Sequence, residues 1–360
     1  MKLFSAGATR PAADTAWASA ANDLVQRTLA QHGLASPVEQ SAQIGGVNPP
    51  SINSMLAKLS GQPMRSASPE TSVPDGAIFT DDIFACASGS RRYRLYVPAS
   101  TSEGATGVVM MLHGCTQTPE DFANGTGMNT LADRHGFVVV YPAQSRGDNA
   151  QSCWNWFSRG DQRRGRGEPA ILAGLAQKIC ADYGVTRDDT FVAGLSAGAA
   201  MAVILGETYP DVFAAVGAHS GLPAGSAKDV PSAFAAMAGN ALEATEPVQA
   251  DQRVRTILFH GSADHTVHPS NGHNIARRAR SAGPGQSVET STTGNATGRT
   301  YTRDMSSDED GTALVEHWTV EGQGHAWSGG QPGGSYTDPN GPDASAEMIR
   351  FFFGRTDKDT

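Results

Sequence analysis

The sequence contains no window approaching the ~20 consecutive apolar residues that a membrane-spanning helix requires, so no such helix is expected. It also lacks a basic excess. With 27 Lys and Arg against 36 Asp and Glu, the formal charge is -9, the wrong sign for a phosphate backbone, and nucleic acid is excluded as the main partner. Cysteine is scarce. Cys86, Cys115, Cys153 and Cys180 are too few for a disulfide scaffold and allow about three fully paired arrangements. An even count suits an oxidising compartment, and four buried thiols in a cytoplasmic enzyme would look the same. The start, Met1-Lys2-Leu3-Phe4-Ser5-Ala6-Gly7, holds no apolar run of the about 7–15 residues typical of a secretory leader, so the residues alone give no expectation of export.

What is present is a long chain with an ordinary apolar fraction, 360 residues and 39%, enough for one large catalytic domain plus an appendage. Trp17, Ala21, Leu24, Val25, Leu29 and Leu34 recur at helical spacing and predict one amphipathic helix over Thr15–Leu34. Ala35–Gly76 is rich in Ser, Pro, Gly, Gln and Asn, with a short apolar patch around Ile52–Leu59, and reads as a linker carrying at most one small helix. Residues 1–76 are therefore expected to form an N-terminal helix and linker, and 77–360 a catalytic domain.

Beyond Ala77, short apolar runs alternate with helical patterns, which predicts an α/β fold with a mostly parallel central sheet covered by helices on both faces. Arg92–Val97 alternates like an outer antiparallel strand, whereas Val108–Leu112 and Phe137–Tyr141 are continuous apolar runs suited to the sheet centre. Further strands are expected at Thr190–Ala193, Phe213–Ala218, Thr256–Phe259 and Val315–Val320. Helices are expected at Met128–His135, Pro169–Tyr183, Ala197–Tyr209 and Ser232–Ala244. The polar stretch Ser281–Gly311 reads as an excursion with an edge hairpin.

Gly194-Leu195-Ser196-Ala197-Gly198 matches the G-x-S-x-G nucleophile elbow. With 41 glycines in the chain such a pattern arises by chance on the order of 0.4 times, so its setting between a strand and a helix carries the weight. A serine hydroxyl needs a base, and the base needs a group that fixes its tautomer. Asp264, in His260-Gly261-Ser262-Ala263-Asp264, follows one expected strand, and His325, in Gly322-Gln323-Gly324-His325-Ala326-Trp327, follows the last. The order Ser, Asp, His is that of α/β-hydrolases. Alone, each residue has an ordinary reading as helix cap, turn former or structural histidine.

The oxyanion of an acyl-transfer intermediate needs two donors. The N–H of Ala197 is one, and the N–H of Cys115 in His113-Gly114-Cys115-Thr116-Gln117 is the other, with His113 buttressing the loop. The sheet order of this fold brings Cys153 toward Cys115, which admits a Cys115–Cys153 disulfide, two free thiols being the alternative. Trp154, Asn155 and Trp327 are expected to line a substrate pocket, with core packing as the rival for the aromatic residues. His265, His268 and His273 beside Asp264 superficially resemble a metal cluster, but with no helix expected to align them, neither metal nor cofactor is expected. Arg163–Gly167 reads as an anion site or, more commonly, a solvated loop.

The stretch His113–Tyr141, the run Cys153–Pro169, the elbow, Phe213–Pro223, His260–Asp264 and Tyr336-Thr337-Asp338-Pro339-Asn340-Gly341-Pro342-Asp343-Ala344-Ser345 resemble the esterases of the polyhydroxybutyrate depolymerase family. The resemblance spans roughly Asp75 to Phe353. It implies an α/β-hydrolase fold, a triad of Ser196, Asp264 and His325, hydroxyalkanoate oligomers or accessible polymer as substrates, and an extracellular or periplasmic location. Related cores act on feruloyl or acetyl esters of plant polysaccharide. Secreted depolymerases of this kind carry a signal peptide and a surface-binding domain, neither visible in these residues, so soluble or amorphous esters are expected over crystalline polymer. A catalytically silent hydrolase-fold binding protein and a peptidase are the readings of other classes. No expectation is set for oligomeric state or for the pairing of Cys86 and Cys180.

Overall fold

The structure, a computed structural model, describes residues 73–241, 252–282 and 287–354. The chain divides into two units, Met1–Glu70 and Thr71–Thr360, and every described residue belongs to the second. The helix expected over Thr15–Leu34 and nearly all of the expected linker lie outside the described residues.

Ten strands form one sheet: β1 (Ile78–Cys86), β2 (Gly89–Val97), β3 (Val108–Leu112), β4 (Val138–Pro142), β5 (Thr190–Leu195), β6 (Ala215–His219), β7 (Arg255–Gly261), β8 (Val288–Ala296), β9 (Arg299–Ser307) and β10 (Ala313–Val320), in the order β1-β2-β4-β3-β5-β6-β7-β10-β9-β8. The strands from β4 to β10 in that order run parallel. An antiparallel hairpin flanks each side. The helices are α1 (Pro119–Thr126), α2 (Met128–His135), α3 (Gly167–Tyr183), α4 (Ala197–Thr208), α5 (Val230–Met237), α6 (Ser270–Ser281) and α7 (Ala344–Phe353).

The continuous apolar runs of the central strands follow from burial on both faces. In β3, Val108, Met110 and Leu112 enter the core layer beneath α3 and α4, while Val109 and Met111 enter the opposite layer shared with α1, α2 and α7. In β4, Val138 and Val140 take the first layer and Val139 and Tyr141 the second. Burial of each such side chain contributes roughly 1.5–3 kcal/mol, so a one-residue slip in register, which would exchange the two sets, is strongly disfavoured.

Several elements differ from expectation. Strand β1 carries no apolar pattern because it is an edge strand with most of its residues exposed. The Ala-rich helix is shorter than Ser232–Ala244: it begins at Val230, where Asp229 and Ser232 form a capping box, and ends at Met237. Helices α1, α6 and α7 were not foreseen; α1 has only eight residues, starting at Pro119 behind the Thr118 cap. The excursion over Ser281–Gly311 does contain the edge hairpin, β8–β9.

After β10 the chain makes a short parallel pair, β11 (Trp327–Ser328) with β12 (Thr337–Asp338). The connection between them lies on α1, where Gly334 faces Gly125 so closely that a Cβ on Gly334 would fall 2.3 Å from the Gly125 Cα. Gly334→Ala should therefore force the two backbones apart and destabilise the fold by about 1–3 kcal/mol, the usual range for overpacking. Gly333→Ala, which meets nothing within 4 Å, should leave the melting temperature nearly unchanged. Equal melting temperatures for the two variants would contradict the close packing.

Candidate active site

Strand β5 passes through Ser196 directly into α4. Ser196 has φ 57 and ψ -119, a strained conformation for a residue with a Cβ, and its N–H donates to His219 O at 2.9 Å. Glycine on both sides makes the turn possible. A Cβ on Gly198 would lie 2.0 Å from Leu112 O, and one on Gly194 would lie 2.5 Å from the Gly198 carbonyl carbon. The serine is partly exposed while its neighbours Leu195 and Ala197 are buried.

Asp264 lies in the turn after β7 and is only 2% exposed. Its Oδ1 accepts from Thr266 N–H and Val267 N–H, both at 2.9 Å, and its Oδ2 is 2.8 Å from His325 Nδ1. Burial acts to raise its pKa, but the charge and hydrogen bond of His325, the nearby His260 and the Val267 N–H prevail and hold the carboxyl at about 2. An ionised carboxylate only accepts, so His325 Nδ1 carries the proton and a neutral ring leaves Nε2 as a base. The loop bearing His325 is stitched to the Asp264 turn by Ser262 N–H to Val320 O at 2.9 Å and Ala263 N–H to Gln323 O at 3.0 Å.

The turn after β3 faces the elbow: a Cβ on Gly114 would lie 3.7 Å from Ser196 Cβ. Within that turn, the N–H groups of Gly114, Thr116 and Gln117 donate to Gln117 Oε1, Gln151 O and Gly114 O, respectively. The remaining N–H belongs to Cys115. Ala197 opens α4, where a first-turn N–H has no acceptor within the helix. Cys115 and Cys153 are joined by a disulfide, with Cα atoms 4.2 Å apart. Cys86 and Cys180 are free thiols.

His113 is buried, and its Nε2 accepts from Gln144 N–H at 3.1 Å while Nδ1 donates to Gly114 O at 2.8 Å. Burial lowers its pKa to about 4, so the ring is a neutral brace for the turn, as expected. Behind it lies a polar network that the sequence reading missed. Glu168 accepts from Asn155 N–H at 2.7 Å, Asn155 Nδ2 at 3.0 Å and Gln144 Nε2. Gln144 also accepts from Arg91 and donates to Cys153 O at 2.9 Å. Glu168 lies twelve or more residues from each of these partners in sequence, and no local pattern marks it.

The expected aromatic walls are corrected. Trp154 is fully buried with its N–H donated to His113 O at 3.0 Å. Trp327 is 1% exposed, donates to Ser345 Oγ at 3.0 Å and packs edge-on to Phe122. Both rings brace the site from inside the core. Asn155, part-exposed, spends its amide on Glu168 and accepts from Asn149. His273 sits on α6, not in a loop, and its ring bonds Pro269 O, while His268 bonds Ser270. In the Arg163–Gly167 run, Arg164 pairs with the exposed Asp211.

Three further buried histidines, His219, His260 and His317, went unassigned. His219 stacks between Phe259 and Trp327, and its Nε2 accepts from Ser328 N–H at 3.0 Å. His260 donates from Nε2 to Val267 O at 2.8 Å, with Asp264 Oδ2 at 3.5 Å. Burial lowers the pKa of His219 and of His317 to about 3 and also depresses His260. Unfolded imidazoles titrate near 6.5, so between that value and the folded ones the unfolded chain binds more protons. Stability is then fully present above about pH 6.5 and lost as pH falls. Glu168 acts in the opposite sense, because burial pushes its carboxyl up to about 7 and its contribution fades as pH rises from about 4.5. Asp343 and Glu347, whose pKa values burial also raises, act in the same sense as Glu168; the four buried imidazoles outweigh these three carboxyls, so the melting temperature should drop as pH goes from about 7.5 to about 5. Thermal denaturation across that interval checks this, and a constant or rising value toward acid would contradict it.

Comparison with known proteins places these features in a family. A model described as esterase PHB depolymerase matches residues 91–282, which takes in the Cys115 turn, the elbow and Asp264. The chain is 33% identical over 243 residues to poly(3-hydroxyalkanoate) depolymerase C of Paucimonas lemoignei, covering 64% of this chain and 57% of that protein. It is 30% identical over 260 residues to poly(3-hydroxybutyrate) depolymerase of Ralstonia pickettii, covering 66% and 52%. The chain thus spans a little over half the length of these relatives. An acetyl xylan esterase from Aspergillus awamori superposes with a TM-score of 0.59 at 20% identity over 78% of this chain and 99% of that one, which shows a shared α/β-hydrolase fold. Since the family match extends over more than half of the sequence and through the core of the site, the chain belongs to the esterase PHB depolymerase family.

Proposed function

We propose that this protein hydrolyses carboxylic esters through an acyl-enzyme on Ser196, with His325 as general base and Asp264 as the group that orients it. The observation that carries this reading is the 2.8 Å contact between His325 Nδ1 and the buried Asp264 carboxylate, on the same rim of the sheet as a strained serine between strand and helix. In the first step His325 Nε2 takes the Ser196 proton as Oγ attacks the ester carbonyl. The oxyanion is held by the N–H groups of Cys115 and Ala197. The C–O bond to the alcohol then breaks and His325 returns the proton to the leaving oxygen. Water, deprotonated by the same ring, attacks the acyl-serine; the acyl–Oγ bond breaks, His325 returns the proton to Ser196 Oγ, and the acid leaves. No step calls for a cofactor.

Residues 77–360 form the catalytic domain in this reading, and hydroxyalkanoate oligomers or accessible polymer are the substrates. This choice is supported by the two depolymerase relatives. A second reading, deacetylation of plant polysaccharide, is supported by acetylxylan esterase A of Aspergillus oryzae, 29% identical over 193 residues. The Cys115–Cys153 disulfide supports action outside the reducing cytoplasm.

Ser196→Ala should lower kcat on p-nitrophenyl butyrate by about 1000-fold or more, and Asp264→Asn by a similar factor, as disabling members of such a constellation does elsewhere. A fluorophosphonate should label Ser196 in the intact protein and not in the alanine variant. Near-normal turnover by Ser196→Ala, or labelling at another residue, would overturn the assignment. Hydroxybutyrate oligomers compared with acetylated xylan at equal enzyme concentration separate the two substrate readings.

A further inference from the structure

Among the described residues, six that are not glycine have positive φ. Five of them, Thr116, Ser152, Ser196, Ser220 and Tyr336, fall in the turns that build the site; Thr297 lies in the β8–β9 hairpin turn. Ser196 is explained by the elbow. Thr116 (φ 66) and Tyr336 (φ 52) are the unexpected pair, because a β-branched and a bulky aromatic residue are among the least suited to this region. They are separated by 220 residues and touch through their side chains, with Thr116 Oγ1 3.3 Å from Tyr336 Oη.

That contact does not account for the strain. A long, exposed hydroxyl pair contributes little to stability, less than two backbone outliers detract from it. Both turns are instead held from outside. Thr116 N–H donates to Gln151 O at 2.7 Å, and its neighbour Cys115 is bonded to Cys153. Tyr336 O accepts from Trp327 N–H at 2.7 Å, two residues beyond His325. Next to it, Ser335 is fastened to the Cys115 side by Gln117 Nε2 to Ser335 O at 3.0 Å and by Ser335 N–H to Asp121 Oδ1 at 2.9 Å. The surrounding structure therefore presents two hydroxyls, one beside the Cys115 N–H and one anchored to the histidine loop, at an exposed position.

Two hydroxyls bring two protons. One is used between them, and the other remains to donate outward. We propose that Thr116 and Tyr336 form a polar subsite that hydrogen-bonds an acceptor oxygen of the substrate beyond the scissile ester, the carbonyl or ether oxygen of a second ester unit. This selects substrates bearing a second oxygen function over plain alkanoate esters. The inference rests on the ester-hydrolase reading and deepens it.

Matched esters test it on the full chain. On the acyl side, p-nitrophenyl β-acetoxybutyrate is compared with p-nitrophenyl 3-methylhexanoate, in which methylene groups replace the acetoxy oxygen and carbonyl; on the alcohol side, acetoxyethyl butyrate is compared with pentyl butyrate. The quantity read is the ratio of kcat/KM within each pair. The unaltered protein should favour the oxygen-bearing member of one pair by about 5-fold or more, the effect of one hydrogen bond. Tyr336→Phe and Thr116→Val should each bring that ratio toward one. A variant that merely disturbs the fold lowers both members together and leaves the ratio intact, and that result overturns the subsite. So does a ratio of one in both pairs for the unaltered protein. Failure of the parent reading looks different: no ester is hydrolysed and Ser196 takes no fluorophosphonate label.

Discussion

A carboxylate stays charged beneath a protein surface only where other donors replace the water it has lost. Asp264 meets that condition with two backbone N–H groups on one oxygen and the His325 ring on the other. Much of the local architecture follows from supplying those donors. The turn after β7 must fold back tightly enough for Thr266 and Val267 to point their N–H groups at their own neighbour, and the loop after β10 must approach within bonding distance. The second demand explains Gly261, where a Cβ would fall 2.2 Å from Gln323 O. It also fits the parallel pairing of β7 with β10, which delivers both loops to the same rim of the sheet.

The opposite side of the site is organised by a different constraint, the need to fix a backbone N–H in space when a side chain cannot do it. The Cys115 turn is tied down by the disulfide, by Thr116 to Gln151 and by the buried His113. The segment that receives these ties is itself set by Glu168, whose two oxygens gather Asn155, Gln144 and the nearby Arg91. A buried carboxyl with this many donors defines the geometry of its neighbours more sharply than apolar packing would.

The sequence made the central strands legible because burial on both faces leaves an unbroken apolar run, as in Val108–Leu112. It also made legible the placement of Ser196, Asp264 and His325, each on a loop just past the end of a strand. Edge strand β1 was not readable: with Asp81, Asp82 and most of its neighbours exposed, neither face imposes a pattern. Helix α1 was hidden because Pro119-Glu120-Asp121-Phe122-Ala123-Asn124-Gly125-Thr126 carries one large apolar side chain among turn-forming residues, too few to mark a helical period. The roles of Trp154 and Trp327 could not be told from composition, because an aromatic side chain near an active site packs inward or outward according to contacts made across the fold. The Glu168 network and the Thr116–Tyr336 meeting draw in partners from distant parts of the chain, Gln144 and Arg91 in the first case, and no local pattern announces them.

The disulfide between Cys115 and Cys153 closes residues 115–153 into a covalent ring. Helices α1 and α2 and the central strand β4 lie inside that ring, whose clasp is at the Cys115 turn. The bond keeps these elements in one closed loop even when the chain unfolds, which removes part of the conformational entropy that unfolding would otherwise release. The central strand and the Cys115 turn therefore stay on the same loop in every state of the oxidised protein.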